Sequence, residues 1–251
     1  MTREGDLAYA WARICARLGE RPDEVAWRSI ELIRDLPAML DAARGPAFRR
    51  WLVGVTPDAG PHAIEAVLLA RWRGLVREVA QWMPGEWQPA VEWAGALAEL
   101  PALQHLAREG DVLPWMQEDP LYRELVGPDP VSALDRLRPL AAAWSDPDGM
   151  LSAWRAEWGR RIPRGAFVDS VLLAALEHAL ARHRVAVGPA SFADGMGLLR
   201  GLADSGLHLF RRAALEPAAA FIFLALSALD LERLRGELLR RAIFPSLSLA
   251  A

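Results

Sequence analysis

Proline and glycine cut this chain into pieces of helical length, and the pieces between the cuts carry little that prefers a strand. The breaks fall at Arg21-Pro22, Val55 to Pro61, Met83-Pro84-Gly85, Gly110 to Pro114, Gly127 to Pro130, Ser145 to Gly149, Ile162 to Gly165, Gly188-Pro189 and Glu216-Pro217. Most of the pieces between them are roughly 12 to 25 residues, which is ordinary helix length. The pieces are rich in Ala, Leu, Arg and Glu, β-branched residues are sparse, and threonine occurs only at Thr2 and Thr56. The expected fold is all-α and multi-helical, with about nine to eleven helices.

Periodicity agrees. Val168, Leu172, Leu176 and Leu180 recur every fourth position while Asp169 and Glu177 fall off that stripe, and Leu231, Leu234 and Leu238 make a similar seam. Thr56-Pro57, Asp129-Pro130 and Ser145-Asp146-Pro147-Asp148 place a short polar residue or a proline where a helix is expected to begin. Gly195-Met196-Gly197 and Gly201, with no strand before them and no dinucleotide fingerprint, read as a turn between helices.

A chain of 251 residues buries roughly 70 to 75% of its unfolded surface without a disulfide or metal staple. Its single cysteine, Cys15, lies in an apolar stretch and reads as a small core residue in a reducing compartment, so the expected location is cytoplasmic. The charged start, MTREGDLAYAWARICARLGE, lacks the apolar run of an export signal. The most apolar stretch, Ala218 to Leu229, covers about 12 residues against the ~20 of a membrane span. Any membrane association is therefore expected to run through a partner already there.

The 29 basic residues are all arginine, and lysine and asparagine are absent. Without lysine there is no Walker-type phosphate loop, no protein-kinase core and no Schiff-base nucleophile, so the chain is not expected to hydrolyse ATP by itself. A net charge of −3 without a basic stripe argues against nucleic acid as a partner; the pairs Arg49–Arg50, Arg160–Arg161, Arg211–Arg212 and Arg240–Arg241 read as solvated helix faces.

All eleven tryptophans lie between Trp11 and Trp158. Residues 1–251 read as a single all-helical domain, and this shift in composition leaves open two lobes, 1–145 rich in Trp and 165–251 rich in Ala and Leu, meeting near Ser145 to Arg164. A faint internal echo goes with that division. Ala94 to Leu106 and Ala225 to Arg235 both run through an apolar helix into an acidic residue, Glu99 or Asp230, followed by Leu-x-x-Leu.

The search for chemistry assigns no catalytic, cofactor-binding or metal-ligating residue. His178 and His183, five apart, point about 140° away from each other on a helix, unlike the i, i+4 pair of a helical zinc site. Glu177-His178 diverges by ~100°, and His178 reads as a partly buried polar residue. No Gly-x-Ser-x-Gly elbow occurs, and Cys15 has no nearby histidine to activate it. Glu118-Asp119 and Asp146/Asp148 sit beside prolines, where capping explains them. Trp82-Met83, Trp87, Trp115-Met116 and Tyr122 crowd around loops and helix ends, as core fillers or as interface anchors.

Several segments in order resemble the C/d family of A/V-type rotary ATPases, the central-stalk socket component called C in archaea and bacteria and d in eukaryotes. Tyr9-Ala10-Trp11-Ala12-Arg13-Ile14-Cys15-Ala16-Arg17-Leu18 looks like that family's opening helix. Ile33-Arg34-Asp35-Leu36 through Trp51-Leu52 resembles its leucine-rich segment, and Ala63-Ile64-Glu65-Ala66-Val67-Leu68-Leu69 its Ile-Glu-x-x-Leu helix, continuing to Leu75-Val76-Arg77-Glu78-Val79. Glu99 to Leu106 and Asp230 to Leu238 are similar to its repeated acidic-Leu stretch, with Ala102 and Gln104 or Arg233 and Arg235 where the family has Asn and Lys. Family members are longer, with three related helical units against two and a fragment here.

The resemblance implies pseudo-repeated helical units forming a funnel or two-lobed array. Its function would be mechanical: a non-catalytic coupling subunit, not itself an enzyme, linking the central shaft to the membrane rotor ring for ion (proton) transport in a bacterial V-type ATPase. Its partners would be those ring and shaft proteins, its place the cytoplasmic face of the inner membrane, and it would need no cofactor. The alternative is a stand-alone helical scaffold or adaptor that binds another protein.

Overall fold

A computed structural model of the chain describes residues 3–125, 137–140, 143–164, 171–188 and 192–244. The all-α expectation holds: the described residues form helices and connecting turns, with no strand among them. In chain order the α-helices are α1 (Arg3–Leu18), α2 (Glu24–Glu31), α3 (Leu36–Ala42), α4 (Pro46–Leu52), α5 (Pro61–Trp82), α6 (Gln88–Ala94), α7 (Leu100–Glu109), α8 (Pro114–Glu118), α9 (Pro120–Leu125), α10 (Met150–Arg161), α11 (Val171–Val187), α12 (Phe192–Arg212) and α13 (Ala218–Ile243). Short 3-10 turns at Gly95–Glu99 and Pro147–Gly149 lead into α7 and α10.

Thirteen α-helices among the described residues exceed the nine to eleven expected, and proline explains the difference. Pro37, Pro46, Pro114 and Pro120 each stand in the first turn of a short helix, where a missing N–H goes unused and the fixed φ suits the start. Stretches that read as single pieces are therefore divided. Asp35 reinforces the Pro37 start, accepting from the Ala38 amide at 2.9 Å, and Asp23 caps α2 in the same way through the Ala26 amide at 2.8 Å. Gly110, at φ 74°, ends α7 in the left-handed conformation that glycine adopts without strain.

Three local expectations are overturned. Thr56-Pro57 starts no helix: the Ala59 amide closes a turn on the Thr56 carbonyl at 3.0 Å, and α5 begins at Pro61 behind Gly60. Gly195 to Gly201 is no turn but the second and third turns of α12. These glycines have ordinary helical backbones, and the helix-forming residues around them continue the ladder. On α11 the stripe bends, because Leu172, Leu173 and Leu176 are buried while Leu180 is 39% exposed. Asp129-Pro130 and Val168 lie outside the described residues. The seam Leu231, Leu234 and Leu238 is buried as expected, and Asp146 caps its 3-10 turn through the Gly149 amide at 3.1 Å.

α13 is the central element. From Ala218 to Leu224 every residue is buried, a helix apolar on all sides and therefore enclosed on all sides. It packs against α5, α12 and α1, with α11 and α12 forming a hairpin alongside. One hydrophobic cluster runs from Ala10 to Leu238, so the Trp-rich and Ala/Leu-rich stretches share a core. Aromatic pairs tie them together: Trp11 stacks on Phe210 at 4.9 Å, and Trp158 meets Phe221 edge-on at 5.3 Å. Cys15, half-buried rather than enclosed, packs at the edge of this core, and burial pushes its thiol up.

Candidate functional site

The acidic residues of the two echoing segments turn out to be buried, and an arginine from a distant element grips each one. Glu99 is 3% exposed and Asp230 7%, in a chain whose other carboxylates mostly face water. A buried carboxylate is tolerated only if it is paired and hydrogen-bonded. Both meet that condition with the two-pronged geometry only arginine offers.

At Glu99 the partner is Arg73, midway along α5. Its Nε donates to Oε1 at 2.7 Å and its Nη2 to Oε2 at 2.9 Å. The remaining Nη1 reaches Asp119, between α8 and α9, at 2.6 Å. Asp119 is itself buried and uses its other oxygen to cap α9, accepting from the Leu121 amide at 2.9 Å. Tyr122, fully buried, donates its hydroxyl to Glu99 Oε2 at 2.6 Å and packs edge-on against Trp115. Burial, and then the Glu99 carboxylate, push the Tyr122 phenol far above its ordinary value, so it stays a donor. Burial works against the Arg73 charge, but Glu99 and then Asp119 outweigh it and hold the guanidinium protonated.

At Asp230, in the middle of α13, Arg21 donates through Nε at 2.6 Å and Nη2 at 2.8 Å. Burial pushes this carboxyl up, and Arg21 pulls against that shift. One turn on, Arg233 reaches Glu31 at 2.6 Å and Glu24 at 2.9 Å and lies over the Trp27 ring at 4.3 Å. Arg241, almost wholly buried, donates to the Ile30 and Ile33 carbonyls at 2.8 and 2.5 Å, closing the C-terminal end of α2. Arg235 pairs with Glu65 of α5 at 2.8 Å. The last helix is thus stapled by arginines to the first half of the chain.

Both carboxylate oxygens of Glu99, of Asp119 and of Asp230 are committed to donors of the protein itself. The arrangement fixes these elements against each other. Among the described residues, no group of three His, Cys, Asp or Glu side chains could hold a metal ion.

The residues singled out in the sequence are dispersed. Trp82, Met83, Trp87, Met116 and Tyr122 are core fillers, and only Trp115 of that set is half-exposed. His178 is exposed, not partly buried, because it lies on the outer side of α11. Its neighbour Glu177 turns to Arg155 of α10, which donates twice at 3.0 Å. Glu118 and Asp119 part company, the first exposed and the second buried. Asp148 pairs with Arg108. Sequence reasoning passed over Arg73 and Arg21; the signal that points to them is an acidic residue inside an apolar helical run, which demands a buried cationic partner.

The described residues contain no helix long and apolar enough to cross a membrane. Comparison of the chain with protein-family models, with curated proteins and with solved structures finds no match.

Proposed function

We propose that this chain is a non-catalytic coupling subunit of a V/A-type rotary ATPase, joining the central shaft to the membrane rotor ring on its cytoplasmic side. One observation carries the reading. The two acidic-Leu segments that resemble the family's repeat hold the same device, a buried carboxylate gripped by both prongs of an arginine remote in sequence, Arg73 on α5 or Arg21 in the turn between α1 and α2. A part that transmits torque must resist relative movement of its helices. Buried, fully satisfied charge pairs supply that resistance, because sliding either helix would strand an unpaired charge in the core. The test is co-expression with the rotor-ring and central-shaft proteins of a V/A-type rotary ATPase. The expected result is a stoichiometric complex that survives size-exclusion chromatography; a chain that elutes alone while those proteins assemble without it refutes the reading.

The exposed apolar side chains of α11, Val171 and Val185, favour the second reading, a scaffold or adaptor bound to another protein. Under that reading the Val185→Glu variant loses its partner while keeping its fold, and no rotary component accompanies it.

A further inference from the structure

α3, α4 and the segment that follows them line an open groove of about 410 Å³, within the roughly 300–1,000 Å³ range of ligand-binding clefts. Leu40, Leu52, Val53, Val55 and Pro57 give it an apolar floor, and Arg44 and Arg49 stand on its rim. We propose that this groove docks an amphipathic helix of a partner protein, its apolar face on the floor and its carboxylates against Arg44 and Arg49.

Three features carry the assignment. The wall is built in advance: after α4 the chain reverses through Gly54 at φ 102°, and Arg71 of α5 holds the reversal by donating twice to the Val53 carbonyl, at 2.9 and 2.6 Å. The floor is left open to water, with Val53 half-exposed although it sits between buried Trp51 and half-buried Val55. The rim carries unspent positive charge. Several other arginines of this acidic chain are committed to carboxylates, as at Arg17, Arg21, Arg50, Arg73, Arg233 and Arg235. Arg49 has no carboxylate partner among the described residues, and Arg44 meets only Asp41, at 2.6 Å in an i, i+3 pair that is 80% and 67% exposed and therefore contributes little. Arg71 adds a third cation behind the wall, bonded to a carbonyl rather than a carboxylate. Asp41 and the exposed Asp58 beside Pro57 are the acidic groups nearby, and they leave the positive charges in excess. An open apolar trough with a cationic rim matches the face of a helix with leucines at i, i+3, i+4 and i+7 flanked by glutamates. The proposal stands apart from the rotary reading, since the groove can bind such a helix whether or not the chain enters a rotary complex.

The test uses a fluorescein-labelled synthetic helix of that Leu/Glu pattern, with analogues carrying Gln or Lys for Glu, titrated against the full chain by fluorescence anisotropy. Saturable binding of the Glu peptide is expected, at least tenfold tighter than that of either analogue and weakened by salt. Arg49→Glu and Val53→Asp, both exposed substitutions whose folding is checked by thermal melting, are each expected to weaken it at least tenfold. Absence of binding, equal binding of the Gln analogue, unchanged binding to Arg49→Glu, or displacement of the peptide by dodecanoate as a small amphiphile would overturn the proposal.

Discussion

Trp93 and Trp154 exchange hydrogen bonds: the Trp93 indole donates to the Trp154 carbonyl at 2.9 Å, and the Trp154 indole donates to the Trp93 carbonyl at 3.1 Å. Two bulky side chains from α6 and α10 are thus satisfied reciprocally, and Arg161 covers the Trp93 ring at 4.5 Å. Each bond contributes about 0.5–1.5 kcal/mol. Trp93→Phe and Trp154→Phe are each expected to destabilise the protein, and the double variant by less than the sum. Urea denaturation of the four proteins in the double-mutant cycle measures that coupling.

Arg73→Met leaves Glu99 and Asp119 buried without their cation, at a cost of about 3–5 kcal/mol. Adding Glu99→Gln and Asp119→Asn in the same chain removes both stranded charges and is expected to recover part of that loss. A chemical-denaturation series that shows no recovery refutes the account of this cluster.

Tyr122 is expected to resist alkali. In a Tyr9→Phe background, absorbance at tyrosinate wavelengths should stay flat until the protein unfolds, because burial and Glu99 both disfavour the phenolate. A smooth titration in the folded state would show that the Glu99 contact is not maintained in solution.

Glycines along α12 are expected to differ in sign. At Gly201 a methyl meets open space, so Gly201→Ala should stabilise by about 0.5–1 kcal/mol. At Gly206 it comes within 2.8 Å of Leu226 Cδ2 and 3.3 Å of its Cγ, in the core. There overpacking of about 1–3 kcal/mol exceeds the gain in helix propensity, about 1 kcal/mol. Melting temperatures of the two variants should move in opposite directions.

Acid should loosen the staple between α13 and α2. The hydrogen bond from Arg233, opposed by partial burial, holds the Glu24 carboxyl below its ordinary value of 4.5. A folded-state value below the unfolded one gives stability that is present above pH 4.5 and lost as pH falls through the folded value. Arg233→Gln should therefore lower the melting temperature at neutral pH, and its gap from the parent should narrow below pH 4.5.

How much of this was legible in the sequence depended on whether the determinant was local. Helix class followed from the absence of strand formers and from proline spacing, and the buried seam of Leu231, Leu234 and Leu238 from simple periodicity. The short helices opening at Pro37, Pro46, Pro114 and Pro120 were hidden because a proline marks a break equally well before a loop and in a first turn. Gly195 to Gly201 read as a turn because glycine composition is visible and the neighbouring helix that accommodates α12 is not. Arg73 sits two residues from Arg71, which bonds only a carbonyl; nothing local separates the buried clamp from its exposed neighbour. The partner residues lie 26 and 46 positions away.

The pairing of Arg21 with Asp230 spans 209 positions, so the opening helices of the chain are completed by its last one. During synthesis Arg21, Trp27 and the open end of α2 emerge long before the residues that close them. At about 5–20 residues per second the delay is roughly ten to forty seconds. For that interval the opening helices lack α13, one of the two long helices that α1 packs against. The same long-range closure that makes the finished protein stiff makes its nascent chain dependent on whatever shields it until the final turn is made.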